Sequence, residues 1–251
     1  MEIVTLAQRP DLVEAVYAIP YPPGSPRFMQ GSLTSLLVRG RRVARRWPHL
    51  VVALLEGGSP VARGVMVPFR ERSPFPARGW DEVAVWAAED ALDGVAPDTA
   101  GALEIAVHPS CQGRGLSSAV LAGMRDAVAA AGLSSLVIPV RPPDKASVPL
   151  VSMGDYAAAT RPDGLPVDRW LRTHVRAGGL IAGVASCSAT VQAPLADWRE
   201  WTGLPFDRDG PVVVPGALAP VLVSTVDDYA VYVEANVWVS HRVPEHPARL
   251  G

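Results

Sequence analysis

The segment HPSCQGRGLSS, residues 108–118, has the residue types and the spacing of an anion-binding turn. Gly113 and Gly115 stand between an apolar run typical of a strand and a second run, SSAVLAGMRDAVAAAG, typical of a helix. Glycine is unfavourable inside either element, so its placement here indicates close approach of a ligand or of a neighbouring strand. The N–H groups of such a turn, together with the helix dipole, can bind a phosphate group.

The same turn lacks two nucleotide-binding signatures. The pattern G-x-G-x-x-G is incomplete because Ser118 stands where its last glycine would be. No G-K-[ST] triplet follows the turn either. The sequence therefore disfavours a dinucleotide-binding Rossmann unit and a P-loop.

A carboxylate interrupts the apolar strand that precedes the turn. Strand alternation predicts one face made of Leu103, Ile105 and Val107, and another made of Ala102, Glu104, Ala106 and His108. A carboxylate on a central strand is costly unless it is partnered. A carboxylate at such a place can act as a general base that takes a proton from a substrate. The alternative is that Glu104 is a rim carboxylate paired with an arginine.

The last apolar run, DYAVYVEANVWV, carries a second polar row. Glu234 and Asn236 alternate with valine and alanine, which places them on one face of the predicted strand. That face can line a substrate pocket, in which both side chains bind polar groups of a ligand. A half-exposed edge strand explains the pattern equally well.

Composition excludes several classes of protein. The chain has 251 residues, of which 49% are hydrophobic, and a formal net charge of −2, which gives no reason to expect a nucleic-acid or membrane partner. Two cysteines do not make a disulfide framework or a zinc ligand set. Residues 1–19 lack a basic start followed by an apolar core, and no apolar run approaches the ~20 residues that cross a bilayer. We expect a soluble, cytoplasmic protein without a metal ion.

Apolar periodicity predicts alternating strands and helices that must position these residues. The predicted strands are residues 1–7, 49–56, 60–69, 102–107, 133–140, 180–192 and 228–239, and the predicted helices are residues 10–19, 31–47, 80–92, 116–131 and 169–177. The strands at 49–56 and 60–69 are predicted to form a hairpin across Gly57 and Gly58. This pattern favours a mixed sheet with helices on both faces.

The segment VHPSCQGRGLSSAVLAGMRDAVAAAGLSSLVIPV resembles the acyl-CoA-binding segment of the GNAT-type N-acetyltransferase superfamily. That family has Gln or Arg, two residues, Gly, one residue, then Gly or Ala, and here the run is Gln112-Gly113-Arg114-Gly115-Leu116-Ser117. Ser117 departs from the pattern, but serine is small enough to fit and its hydroxyl can meet a phosphate. The match covers about 40 residues.

The resemblance implies a fold and a domain organisation. It implies an α/β (α+β) protein with a mixed, mostly antiparallel central sheet flanked by helices. Residues 1–251 would form a single elaborated domain around a CoA-binding core at about residues 102–141. The segments 68–100 and 142–167 would be insertions over the acceptor site.

The resemblance also implies site residues and acetyl-CoA as acyl donor. The amides around Gln112, Gly113, Arg114, Gly115, Leu116 and Ser117 would bind the CoA pyrophosphate, and the strand at Ile105, Ala106 and Val107 would pair with the pantetheine arm. In the family a tyrosine four residues before a glycine often protonates the leaving thiolate, and His174 stands at that position before Gly178. Histidine can donate a proton near neutral pH. The alternative is that His174 only packs beside Trp170.

Two functions follow from this reading. The first is transfer of an acyl group, most simply acetyl, from CoA to an amine of a small molecule or peptide, with Glu104 as base and His174 as acid. The second is a protein of the same fold that binds CoA or a carrier-protein thioester without N-acetylation, as a decarboxylase or a sensor. A homodimer stays open, and the sequence does not identify the acceptor.

Overall fold

A computed structural model describes residues 1–21, 25–39, 41–72 and 75–243. Nine strands lie in these ranges: β1 (Glu2–Thr5), β2 (Val51–Glu56), β3 (Ser59–Phe69), β4 (Thr99–Val107), β5 (Ser135–Val140), β6 (Leu180–Pro194), β7 (Gly210–Val212), β8 (Val221–Ser224) and β9 (Tyr229–Arg242). The α-helices of the same ranges are α1 (Val13–Tyr17), α2 (Ser35–Val38), α3 (Arg42–Arg46), α4 (Gly79–Asp93), α5 (Leu116–Ala130), α6 (Met153–Ala158), α7 (Arg169–Arg176) and α8 (Leu195–Thr202).

The strands form one mixed sheet. Its order is β1-β2-β3-β4-β5-β9-β8-β7, and β6 pairs with β9 alongside that path. Only β4 and β5 pair in parallel, while the other pairs in the described residues are antiparallel. The predicted mixed, mostly antiparallel sheet flanked by helices is confirmed.

Apolar residues are buried on both faces of this sheet. Side chains of α5 pack on β2, β4 and β5 in one cluster, and those of α1, α3 and α4 pack on β1, β2 and β3 in another. A third cluster joins α8 to β6, β8 and β9. Close packing on the α5 side depends on Gly64, because a Cβ there would lie 2.6 Å from Met124 Sδ. The two main clusters fix β4 between two helical layers.

Several elements follow the local sequence signals. β2 and β3 form the predicted hairpin, and its turn residues Gly57 and Gly58 have φ of 58° and 82°. Gly94 ends α4 with φ of 68°, in the left-handed region that glycine tolerates. The carboxylate of Asp168 caps α7 by accepting from the N–H groups of Trp170 and Leu171.

The continuous helix predicted over residues 31–47 is wrong. The structure has the two short helices α2 and α3 there, because Arg39 is extended, with φ of −67° and ψ of 140°. Apolar spacing continued through this break, so periodicity alone did not reveal it. The predicted extents of the single domain and of its two insertions stay predictions. No helix in the described ranges is long and apolar enough to span a membrane.

Candidate active site

The predicted anion-binding turn lies at the N-terminus of α5. Gly113 and Gly115 have φ of 75° and 73°, and a Cβ at either position would meet no atom within 4 Å. The N–H groups of residues 113–117 have no backbone acceptor in the described part of the chain. Orphan N–H groups at the positive end of a 15-residue helix form an anion site. These residues therefore fit the phosphates of an acyl-CoA.

The side chains of Arg114 and Gln112 are not part of the surface that the amides of this turn form. Arg114 makes a two-point ion pair with Glu56 at the end of β2, with N···O distances of 3.0 and 2.6 Å. Both partners are exposed, so the pair is weak and salt-sensitive. Gln112 is exposed. The backbone of the turn, rather than these side chains, forms the open surface.

An open strand edge begins where β4 and β5 separate. The parallel ladder joins residues 99–101 to residues 135–137 and then stops, while β5 continues beside β9. In the described residues, β4 from Ala102 to Val107 therefore has β3 on one edge and no strand on the other. His108 N–H donates to Val61 O toward β3, at 2.8 Å, so alternation directs the main-chain groups of Ile105 and Val107 to the open edge. That edge can accept an extended amide-containing chain.

A β-bulge in β4 breaks the predicted alternation. The register passes from Val65 opposite Glu104 to Met66 opposite Ala102, which leaves Leu103 as the extra residue. Ala102 consequently packs with the α5-side cluster, and Leu103 packs with the cluster on the other face. The prediction that Leu103 shares a face with Ile105 and Val107 is wrong for this reason. The bulge also directs Leu103 O to Trp80 Nε1, which donates to it at 3.0 Å.

Glu104 lies on the face covered by α1, with both carboxylate oxygens engaged. Arg63 Nε of β3 donates to Oε1, and the hydroxyl of Tyr21 donates to Oε2. Arg63 is 3% exposed and also donates to the carbonyls of Val16 and Ile19, at 3.1 and 2.7 Å. The Glu104 side chain stays 23% exposed. The arginine pairing foreseen as the alternative is present, and the carboxylate still reaches solvent.

Glu234 and Asn236 belong to a buried polar network, not to an open wall. Glu234 is 1% exposed and accepts from Arg141 Nε and from Tyr232 Oη, both at 2.8 Å, and from Asn236 Nδ2 at 3.1 Å. Ser188 Oγ donates to Asn236 Oδ1 at 2.6 Å. The polar row of β9 is thus its buried row. Arg141 directly follows β5 and is partly exposed. It therefore extends this hydrogen-bond network toward the gap between β4 and β5.

The start of α4 joins this network to β4. Trp80 N–H donates to Ser188 Oγ at 2.8 Å, and the indole of the same residue reaches Leu103 O. The approach requires a glycine, because a Cβ on Gly79 would lie 2.2 Å from Ser188 Oγ. The first turn of α4 is therefore held against both β4 and β6.

A cleft of about 260 Å³ opens beside this turn. It is lined by Thr34, Arg78, Asp81, Glu82, Val85, Cys187 and Thr190. Asp81 accepts from the hydroxyl of Thr34 and from Thr190 N–H, and burial raises the pKa of its carboxyl. Glu82 is half-buried and has no ion-pair partner among the described residues. Because both oxygens of Asp81 already accept hydrogen bonds, Glu82 is the carboxylate of this cleft that is left to bind a cation.

His174 lies apart from these groups. Its side chain is 0% exposed, packs edge-on to Trp170 and has Nδ1 3.0 Å from His241 Nε2. Burial, with a smaller effect of His241, lowers the pKa of His174 to about 3. Trp170 packs against the α5-side cluster, whereas Glu104 faces α1. This geometry favours the packing alternative, and the acid role stays a prediction.

The structure thus brings some predicted residues together and separates others. Residues 105–107 form the end of β4, and the turn at 112–117 leads into the helix α5 that follows it. Glu104 lies on the same strand. Sequence reasoning missed Tyr21, Arg63 and Trp80. An arginine in the middle of an apolar strand, opposite a strand with a lone glutamate, was a signal for the Arg63–Glu104 pair. No local signal pointed to Tyr21 or Trp80.

Comparisons with known proteins agree with this arrangement. Residues 13–154 match the model of the acetyltransferase (GNAT) family. A curated relative, arginine N-acetyltransferase avaD of Aspergillus versicolor, is 28% identical over 277 residues, which cover 95% of this chain and 93% of the relative.

Solved structures show the same fold. The loading GNATL domain of CurA from Lyngbya majuscula superposes with a TM-score of 0.60 at 15% identity, over 96% of this chain and 97% of that domain. The GphF GNAT-like decarboxylase in complex with isobutyryl-CoA gives a TM-score of 0.58 at 18% identity, over 97% of this chain and 100% of that one. At these identities the likeness concerns the fold alone.

Proposed function

The chain belongs to the acetyltransferase (GNAT) family and transfers an acyl group from CoA to an amine, and we propose that the acyl group is acetyl and that the acceptor is the α-amine of arginine or a closely related cationic amino acid. The observation that carries the choice of acceptor is the cleft beside α4, where the Glu82 carboxylate has no ion-pair partner among the described residues. The open edge of β4 and the Glu104 carboxylate beside its bulge support the acyl transfer itself. Acetyl-CoA then acts as the donor substrate.

The donor would be held by main-chain groups. The amides of residues 113–117 would bind the pyrophosphate, and the main-chain groups of Ile105 and Val107 would pair with the pantetheine amides. The open space at Gly113 and Gly115 supports this assignment, because no side chain stands between those amides and a ligand.

Glu104 would remove the proton from the acceptor. Its carboxylate is held by Arg63 and Tyr21 in one orientation but keeps solvent access, so an incoming amine can reach a free lone pair. The attack occurs beside the bulge at Leu103, whose carbonyl is already engaged by Trp80. A fixed base next to an irregular strand edge is suited to amine deprotonation.

The cleft beside α4 would bind the cationic side chain. Glu82 presents its carboxylate there, and Arg78 can meet the acceptor's own carboxylate. A guanidinium stays protonated at neutral pH and is a poor nucleophile, so the α-amine is the group that would attack. The curated relative is named for arginine N-acetylation, which supports this choice of acceptor.

A thiol-release assay with acetyl-CoA and an amine panel tests the proposal. We expect turnover with arginine, weaker turnover with lysine, and little with citrulline, which has the shape of arginine without its charge. Mass spectrometry should find one acetyl group on the α-nitrogen. Glu82→Gln should raise KM for arginine about tenfold, with Glu89→Gln as an exposed control on the same helix.

Two outcomes would contradict the proposal. Equal turnover of citrulline and arginine would show that the protein does not recognise the positive charge of the acceptor side chain. Thiol release without any amine, or loss of CO₂ from malonyl-CoA, would instead support a decarboxylase of the same fold.

A further inference from the structure

Tyr21 contacts Glu104 across 83 residues of sequence. It follows α1, is half exposed, and donates its hydroxyl to Glu104 Oε2. The other carboxylate oxygen is taken by Arg63 Nε, whose guanidinium lies 5.3 Å from the centre of the Tyr21 ring. In the described residues Tyr21 is the only residue whose hydroxyl is hydrogen-bonded to Glu104, so the site contains a carboxylate in direct contact with the phenol of a half-exposed tyrosine.

Arg63 holds Glu104 and the segment before Tyr21 in this arrangement. It is buried, and it donates to Val16 O and Ile19 O at the end of α1 as well as to Glu104. The chain that carries Tyr21 is therefore anchored by the same guanidinium that anchors the carboxylate. Glu104 and Tyr21 keep their relative position because one buried charge holds both.

We propose that Tyr21 is a catalytic residue of the acyl transfer, which passes the proton received by Glu104 to the leaving thiolate. The inference rests on the proposed role of Glu104 as the base. It goes beyond that role by assigning the acid, which the fully buried His174 does not supply from its place beside Trp170 at the α5-side cluster.

The proton balance closes within these groups. The acceptor arrives as an ammonium group, and Glu104 takes its first proton and releases it to water, which the partly exposed carboxylate reaches. The neutral amine then forms the N–C bond, and the C–S bond breaks with its electron pair on sulfur. The surplus N–H proton passes to Glu104, the Tyr21 hydroxyl proton passes to sulfur, and Glu104 returns its proton to the phenolate. One proton has moved from nitrogen to solvent and one from nitrogen to sulfur, and both residues end in their starting states.

The phenol is chemically suited to hold its proton between turnovers. Burial of its hydroxyl end, with the negative charge and hydrogen bond of Glu104, raises the pKa of Tyr21 to about 12. The group is therefore protonated throughout the neutral range, and it gives up its proton only when Glu104 has become protonated and a thiolate has formed.

Tyr21→Phe is the test, because phenylalanine keeps the ring beside Arg63 and removes only the hydroxyl. The control is Tyr17→Phe, since the Tyr17 ring lies 5.8 Å from the same guanidinium without contacting Glu104. We expect Tyr21→Phe to lower kcat with acetyl-CoA about 10²-fold with unchanged KM for the donor and unchanged Tm. The loss should be less than threefold with an acetyl ester of an acidic aromatic thiol, whose thiolate needs no proton. Tyr17→Phe should keep wild-type rates.

An independent readout does not depend on turnover. The ultraviolet difference titration of the wild type minus Tyr21→Phe reports the Tyr21 phenol, and its midpoint should lie near 12 and fall in Glu104→Gln. A midpoint that Glu104→Gln does not move would overturn the contact on which the relay depends.

The kinetic outcomes decide the rest. A Tyr21→Phe rate within twofold of wild type, or equal slowing with both donors, overturns the relay. If the wild type acetylates another amine but not arginine, the proposed acceptor is wrong. The rates of Tyr21→Phe with the two donors are then measured with that amine, and they test the relay in the same way. If no amine supports turnover, both proposals fail.

Discussion

His174 Nδ1 lies 3.0 Å from His241 Nε2, with both rings buried. One nitrogen donates and the other accepts, which two fully protonated rings cannot do, because they would set two N–H groups against each other. The remaining ring nitrogens, Nε2 of His174 and Nδ1 of His241, have no partner in the described residues, so a proton added to either would form a buried N–H group without an acceptor. Burial therefore favours the pair in which both rings are neutral.

This pair makes stability depend on pH. Burial lowers the pKa of His174 to about 3 and that of His241 to about 4, the latter with help from nearby Arg125. In the unfolded chain both titrate near 6.5, so below that pH the unfolded state binds more protons than the folded one. Stability is lost as pH falls from about 6.5 toward 4, with a slope of at most about 1.4 kcal/mol per pH unit for each histidine.

Urea unfolding between pH 7.5 and 4.5 measures that slope. Conversion of His241 to a neutral residue of similar size, His241→Gln, should reduce the slope. A pH dependence that is identical in wild type and His241→Gln would contradict a neutral buried pair.

His174→Phe separates the two roles of that residue. We expect a lower Tm, because His241 loses its hydrogen bond in a buried site, at a cost of about 1–3 kcal/mol. The ratio of rates with acetyl-CoA and with an activated thioester should not change, since a buried neutral ring does not supply the proton. Slowing that is confined to acetyl-CoA would instead support the acid role predicted from the sequence.

The parts of the site that the sequence predicts are those determined locally. The glycine turn before α5 needs positive φ at Gly113 and Gly115, and that demand is visible in the residue types themselves. The β2–β3 hairpin follows from Gly57 and Gly58 for the same reason. Such features depend on a few neighbouring residues, so pattern reading finds them.

The parts that the sequence does not predict depend on contacts between distant segments. The bulge at Leu103 exists because β3 and β4 pair with unequal residue counts, and one extra residue reverses the faces that alternation assigns. The buried row of β9 shows the same limit: Glu234 and Asn236 are satisfied by Arg141 and Ser188 from other strands or their ends. Without those partners, a polar row resembles an exposed face.

Glu104→Gln tests the base. The glutamine keeps the size of the side chain, and its oxygen can still accept from Arg63 while its NH2 group donates to the Tyr21 hydroxyl. It cannot take a proton, so kcat should fall by a factor of about 10² to 10⁴. CoA affinity, measured by calorimetry, should change less than twofold because the donor is held by main-chain groups. An unchanged pH–rate profile would show that Glu104 is structural.

Lys145 is a single lysine whose side chain is 2% exposed. Its ammonium donates to the carbonyls of Val148, Pro149 and Leu218, at 3.0, 3.3 and 2.7 Å, and so ties residues 142–152 to the loop before β8. Lys145→Met preserves the volume and leaves these carbonyls without a donor, which should cost about 1–3 kcal/mol of unfolding free energy. Chemical denaturation measures this loss of unfolding free energy. A Lys145→Met variant as stable as the wild type would show that water replaces the ammonium group.

Ser117→Asp tests the phosphate turn without straining it. A valine at Gly115 would be a poor probe, because φ of 73° strains any side chain there whether or not a ligand binds. An aspartate at Ser117, in the first turn of α5, is favoured by the helix dipole, so Tm should hold or rise. Its negative charge should repel the pyrophosphate and weaken CoA binding at least about tenfold, equivalent to about 1.4 kcal/mol. Calorimetry measures CoA affinity, and the control is Ser118→Asp, which carries the same charge at the more exposed neighbouring position and should lose less affinity. Equal affinity in the wild type and in Ser117→Asp would show that the phosphates bind elsewhere.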